Sequence, residues 1–262
     1  MEDKDFFQLQ YEHSVPHEVY HFGTFSIYNV NLFQWLTLGL IVLIFVPVRL
    51  SFTSGRAGPI TRIFRGWVHW IRDEMIQPVM GREDATQFAP FFFFLFFFIA
   101  FMNTLGLVPH YGLFPSYTAT STPYVTGAMA AVILFMMLFF GMKKQGVVKF
   151  WVNLMPPGLP KWLIPLMFAV ELIGLFVKPF ALMIRLFANM LAGHLVIASL
   201  IGMIFLFAKM MEMSPLAYAT VVPALGMAVF VYIIEGLIVL LQAYIFAFLS
   251  IMFIHQAMHP AH

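Results

Sequence analysis

Apolar runs long enough to cross a membrane alternate with short polar stretches along the chain. Residues 31–48, NLFQWLTLGLIVLIFVPV, form the first run, close to the ~20 residues a helix needs to cross a bilayer. Residues 88–108 form the second and include FFFFLFFF from Phe91 to Phe98, which reads as packing or lipid-facing bulk rather than a cofactor box. Asn103 is a polar exception within it, and residues 122–141 form the third run. Two much longer runs follow, 162–208 and 215–254. As single helices they would be about 60–70 Å long, at least twice the ~30 Å hydrocarbon core. Neither has a polar break in its middle. The pattern therefore predicts a hairpin of two long, steeply tilted helices, with Pro179 and Pro223 as candidate kinks. KMMEMS at 209–214 is the turn, and Ser214-Pro215 reads as an N-cap and first helical position.

The polar stretches carry their own patterns. Within residues 49–84, Arg62, Arg65, His69 and Arg72 recur at helical spacing, while Ile63, Phe64, Trp67, Ile71 and Met75 cover the other face. This predicts an amphipathic helix over 58–80 lying in the membrane interface. Residues 1–30 read as an external segment resting on the membrane surface. They contain HEVYH at His17 to His21, which matches the H-E-x-x-H pattern of zinc proteases with Glu18 as general base. That reading needs a helix, a third ligand and a cleft, and none is evident in this short stretch. His255 and His259 near the other end read as a solvated pair rather than a metal site.

Lysine and arginine counts set the expected orientation. The stretches 49–84 and 143–161 carry six and four of them, while 109–122 has none. The positive-inside rule makes the two rich stretches cytoplasmic, placing the N-terminus outside and the C-terminus inside. The first residues, MEDKDFFQ, lack a basic n-region and are expected to be neither a cleavable signal nor a transit peptide.

Composition narrows the class further. The chain of 262 residues is 61% hydrophobic and 10% charged, against about 45–50% and about 25% in soluble domains. The fold class expected is an all-α polytopic membrane protein forming a single membrane domain, with about five membrane-embedded helices plus the interfacial one. A net charge of +2 gives no ground for nucleic acid as a partner, and zero cysteines exclude disulfides, thiolate metal sites and thiol catalysis.

Five ionisable groups nonetheless sit in the last two apolar runs. Glu171, Lys178 and Arg185 are seven apart, which places them on one side of a helix with a drift of about 20° per heptad. Asn189 follows Arg185 by one turn and shares its face. His194 is nine positions beyond Arg185 and points to the opposite side. In the last run Glu235 and Gln242 are seven apart and share a face. A charge at mid-membrane costs about 2.5 kcal/mol or more, so such groups are rare and usually functional. Arg185 cannot lose its proton in practice, so it is a fixed cation, whereas His194 and Glu235 can exchange protons. A fixed cation flanked by titratable groups can divide a membrane into two half-paths and attract a passing carboxylate. The chain has no mobile carboxylate, so a partner must bring it. The competing reading is a structural ion-pair ladder with a satisfied core histidine.

KPFALMIRLFANMLAGH at Lys178–His194 and EGLIVLLQAYIFAFLSIMF at Glu235–Phe253 resemble the last two helices of subunit a of the F-type ATP synthases, and MNTLGLVP at Met102–Pro109 resembles that family's second span. The resemblance covers most of the chain from about residue 85 onward. It implies a stator subunit of a rotary proton path, not itself catalytic; no cofactor or metal is expected, and the cysteine-free chain without a signal fits a bacterial inner membrane, with an organelle-encoded protein as the alternative. The implied partners are a ring of c subunits with membrane carboxylates, peripheral-stalk b subunits, protons and membrane lipid. Arg185 matches the arginine that separates two half-channels, and Asn189 and Gln242 match its polar partners. His194 and Glu235 match the acid–base pair of the outer half-channel, in an order that is exchanged in some relatives. Glu171 matches a position assigned to the cytoplasmic half-channel, and Lys178 a structural or snorkelling one. Thr122 and Tyr124 stand where many members carry Asp or Asn near the start of the third span.

Two other classes compete. A stand-alone secondary transporter would show internal repeats and short interrupted helices, and neither is visible. A membrane metalloprotease would rest on HEVYH alone. The G-x-x-x-x-G-K-[ST] nucleotide loop does not occur in the sequence.

Overall fold

The computed structural model describes residues 18–22, 25–55, 58–107, 119–155, 158, 160–210 and 215–260. Five of its helices are long and apolar enough to cross a membrane, and the fold is that of an all-α polytopic membrane protein. Its only strands among the described residues form a short antiparallel hairpin, β1 (Glu18–Phe22) and β2 (Phe25–Tyr28). Val19, Tyr20, Phe22, Phe25 and Ile27 are the β-branched and aromatic types that strands favour. The hairpin answers the zinc-protease reading, which requires a helix to bring two histidines to one metal. Glu18 lies in an extended strand and accepts a hydrogen bond from the Tyr28 hydroxyl at 3.1 Å. His17, the loop residues 109–118, Pro156, Pro157 and Ser214 lie outside the described residues.

Helix α1 (Asn29–Ser54) extends beyond the expected 31–48 at both ends. Two of its hydroxyls are satisfied within the helix, Thr37 Oγ1 donating to the Phe33 carbonyl and Ser51 Oγ to that of Val48, as lipid surroundings demand. Helix α2 (Pro59–Trp70) opens with proline, whose missing N–H costs nothing in a first turn. A π-helical turn, Ile71–Ile76, continues it and was not foreseen from the sequence. The turn also divides the expected apolar face. Ile60, Ile63 and Trp67 stay exposed, whereas Ile71, Met75 and Ile76 are buried. At Gly81 the backbone takes φ +75° and ψ 173°, a conformation that glycine alone adopts cheaply. This breaks the interfacial stretch from the second span within α3 (Gln77–Leu107).

The phenylalanine run in α3 is mostly packing bulk. Phe92, Phe96 and Phe97 are buried and only Phe94 is well exposed. Phe97 meets Phe45 at 4.6 Å between ring centres and Phe64 at 5.9 Å, and Phe88 meets Phe140 edge-on at 4.7 Å. Helix α4 (Pro123–Gln145) and a six-residue helix α5 (Val147–Val152) follow. Gly141 admits the Phe150 ring and the Ala257 carbonyl at distances that no Cβ would allow. Helices α6 (Ile164–Met210) and α7 (Pro215–Met258) are 47 and 44 residues long and run unbroken through Pro179 and Pro223.

The chain forms two compact units. One comprises Met1–Gly39, Ile99–Thr122 and Phe187–Gln242, the other Leu40–Phe98, Pro123–Leu186 and Ala243–His262. Four helices therefore contribute to both, α6 passing from one to the other between Leu186 and Phe187.

Candidate functional site

Helix α6 alternates between buried and exposed faces in its middle. Leu182, Leu186 and Met190 are buried, at the i, i+4, i+8 spacing of one stripe. Arg185 is off that stripe and exposed. Around it on the same unit Val177, Phe180 and Ile184 are 50%, 56% and 44% exposed, so the cation is set in an open apolar surface. Among the described residues Arg185 takes part in no ion pair or side-chain hydrogen bond. A guanidinium left so at hydrocarbon depth costs roughly 2.5–3.5 kcal/mol.

Asn189, one turn on, is tied to the last helix. Its Nδ2 donates to Gln242 Oε1 at 2.9 Å. Gln242 is 2% exposed, and its Nε2 has no partner among the described residues. A primary amide held by one end only presents a directed N–H donor to whatever lies beside it.

Further along the same unit, His194 Nδ1 lies 3.8 Å from Glu235 Oε1. That is within ion-pair range and beyond direct hydrogen bonding. The two side chains differ in access, His194 being 28% exposed and Glu235 only 4%. Neither carboxylate oxygen of Glu235 accepts a hydrogen bond among the described residues. Such a buried acid is costly to maintain, and strain of this kind collects at functional positions. The contacts Asn189–Gln242 and His194–Glu235 step in opposite directions along the two helices, so α6 and α7 run antiparallel here.

Gly193 makes the seat for that acid. A Cβ there would collide with Glu235 Oε1 and stand 2.8 Å from its Cδ. The carboxyl therefore lies directly against the α6 backbone. Sequence reasoning missed this glycine, although a small residue beside His194 was the available signal. It also missed Tyr232, one turn before Glu235, whose hydroxyl donates to the Leu107 carbonyl at the end of α3 at 2.7 Å. In the same unit the fully buried Asn103 accepts a 2.6 Å bond from Thr120 Oγ1. Thr122 Oγ1 donates to the Ala119 carbonyl at 2.6 Å, and Tyr124 of the other unit is 83% exposed.

Glu171 and Lys178 belong to a separate place. Both line a polar cavity of about 240 Å³ together with Gln145, Asn153 and Gln256. Lys178 Nζ donates to Gln256 Oε1 at 3.3 Å. The heptad stripe read from the sequence thus splits, its first two members on the cavity and its third exposed.

Comparison with known proteins points to one family. The family model described as ATP synthase A chain matches residues 31–255. An ATP synthase subunit a of Bradyrhizobium diazoefficiens is 30% identical over 92% of this chain and 93% of its own. One of Maricaulis maris is 33% identical over 94% of this chain and 95% of its own. One of Myxococcus xanthus is 39% identical over 74% of this chain and 60% of its own. With the match running through all five membrane-length helices, the chain belongs to the ATP synthase A chain family.

Proposed function

We propose that this chain is the proton-conducting stator subunit of a rotary ATP synthase, forming two half-paths that meet at a ring of c subunits. The observation that carries the reading is Arg185, exposed and without an anion among the described residues, on an apolar face of a membrane-length helix. Such a charge calls for a carboxylate from another chain, and a c-ring would bring one after another past it. The permanent cation stabilises each arriving carboxyl group as its carboxylate, so that the proton leaves into the water of one half-path, and it repels protons that would cross directly. Asn189, one turn further along α6, and its partner Gln242 would serve as neutral donors and acceptors.

The outer half-path runs through His194 and Glu235. The more accessible His194 exchanges with the outer water, and the buried Glu235 passes the proton inward. The cavity at Glu171, Lys178 and Gln256 suits the cytoplasmic half-path, with the C-terminus inside and the N-terminus outside. Helices of 47 and 44 residues are about 65–70 Å long, so both lie strongly tilted in a bacterial inner membrane. Catalysis of ATP chemistry belongs to other subunits, with b subunits of the peripheral stalk as further partners.

The test is ATP-driven proton pumping by the assembled complex in vesicles, with and without this chain. Pumping and passive conduction should both require the chain. A complex that conducts protons equally well without it would overturn the reading.

The seat at Gly193 gives a second expectation. Gly193→Val should assemble with near-native yield, because the group it displaces is the free end of a flexible side chain. Its pumping should fall by about tenfold or more, since a displacement of order 1 Å at a reacting group can cost about a hundredfold. Gly193→Ala should show a smaller loss in the same direction. Native pumping rates in both would mean that the carboxyl position is immaterial.

A further inference from the structure

The cytoplasmic end of the second unit carries a cluster that the half-paths do not use. Lys144 Nζ, near the end of α4, donates to both oxygens of Asp84 in α3, at 2.9 and 2.6 Å. His259, just past the end of α7, brings its Nε2 to 3.1 Å from Asp84 Oδ2. The His255 ring lies one turn earlier, tilted against that of His259 at 5.0 Å between centres, so His259 is engaged rather than merely solvated as the sequence suggested. Among the described residues, Asp84, Lys144 and His255 are the charged and titratable groups that face His259 from the three elements gathered there.

This cluster abuts the polar cavity. Ala257 and Pro260, on either side of His259 in the chain, line the cavity, and so does Gln145, next to Lys144. The Gln145 amide fastens the two helix ends by donating to the Ala257 carbonyl at 2.7 Å. The His259 side chain is 45% exposed and Asp84 18%. One face of the pair thus meets bulk water, and its backbone borders the cavity.

We infer that the Asp84–His259 pair is a proton-collecting site at the mouth of the cytoplasmic half-path. The inference rests on the proposed function. Histidine as a side-chain type exchanges protons near neutrality, and the Asp84 carboxylate, fixed by Lys144, holds the His259 imidazole in one orientation. A positioned His–carboxylate pair raises the rate at which a scarce proton is captured and passed on. The Lys144 ammonium keeps Asp84 in place when His259 gives its proton up.

The experiment is ATP-driven pumping in inverted vesicles, whose cytoplasmic face meets the medium, at alkaline pH with mobile buffer varied. His259→Gln keeps the Asp84–Lys144 ion pair and therefore assembly; Asp84→Asn is the second variant. At low buffer both should pump several-fold more slowly than native, and added imidazole should restore the rate. Native pumping should depend little on buffer. A deficit equal at all buffer concentrations, which a merely structural role would give, overturns the inference, as does no deficit at all. Failure of the native complex to pump would instead strike the proposed function.

Discussion

Vesicles carrying the complex with Arg185→Ala are expected to pump no protons when ATP is supplied, while the complex still assembles. Arg185 makes no ion pair or side-chain hydrogen bond among the described residues, and its side chain is exposed. Its removal therefore breaks no packing, and it relieves the roughly 2.5–3.5 kcal/mol cost of an unpaired cation at membrane depth. A stability effect, if any, should be favourable in the isolated chain. The loss of transport has an electrostatic origin: without a fixed cation, a carboxylate can pass this point still protonated, and the two half-paths become continuous. Passive proton leak should rise as pumping vanishes. Arg185→Lys should not rescue, because a lysine ammonium at this depth can lose its proton, whereas a guanidinium cannot. Pumping at near-native rates by the alanine variant would assign the charge a structural role and remove the separator from the mechanism.

How far the sequence foretold this arrangement depends on the kind of information each part needed. Apolar run length is a local property, and it marked the long segments that α6 and α7 occupy. The β-hairpin was missed because its five- and four-residue strands lie in a stretch without clear alternation. The π-turn was missed because Ile71–Ile76 keeps a helical hydrophobic pattern while its hydrogen bonding shifts by one residue. Among the site residues, chemistry was legible and partnership was not. Glu171, Lys178 and Arg185 read as one stripe, yet Lys178 reaches Gln256 whereas Arg185 reaches nothing described. That division depends on where α7 packs, which no spacing within α6 encodes. Asn189 and His194 lie about 140° apart around their helix, and both still find partners on α7. Gly193 explains the second, since its missing Cβ admits the Glu235 carboxyl against the backbone. The cluster at Asp84 joins positions 84, 144 and 259, a distance in sequence across which periodicity carries no signal.

Glu235→Gln is expected to reduce pumping by about a hundredfold or more, the scale at which a positioned acid–base group contributes. The amide fills the same space against Gly193, so packing is kept and only proton exchange is removed. His194→Ala should lose less. His194 is the more accessible of the two, so water can approach the place its ring leaves, whereas nothing described replaces the buried carboxyl. The exchange of both residues separates pair from part. If the two act as one relay, His194→Glu combined with Glu235→His should pump faster than either single change, because each single leaves two groups of one kind and the double restores one of each. Recovery should stop short of native, for an imidazole is bulkier than the carboxyl that now rests on Gly193. Measured as initial pumping rates at equal assembly, a double variant no better than its singles would mean that the groups serve separately, and the 3.8 Å approach would be packing without transfer.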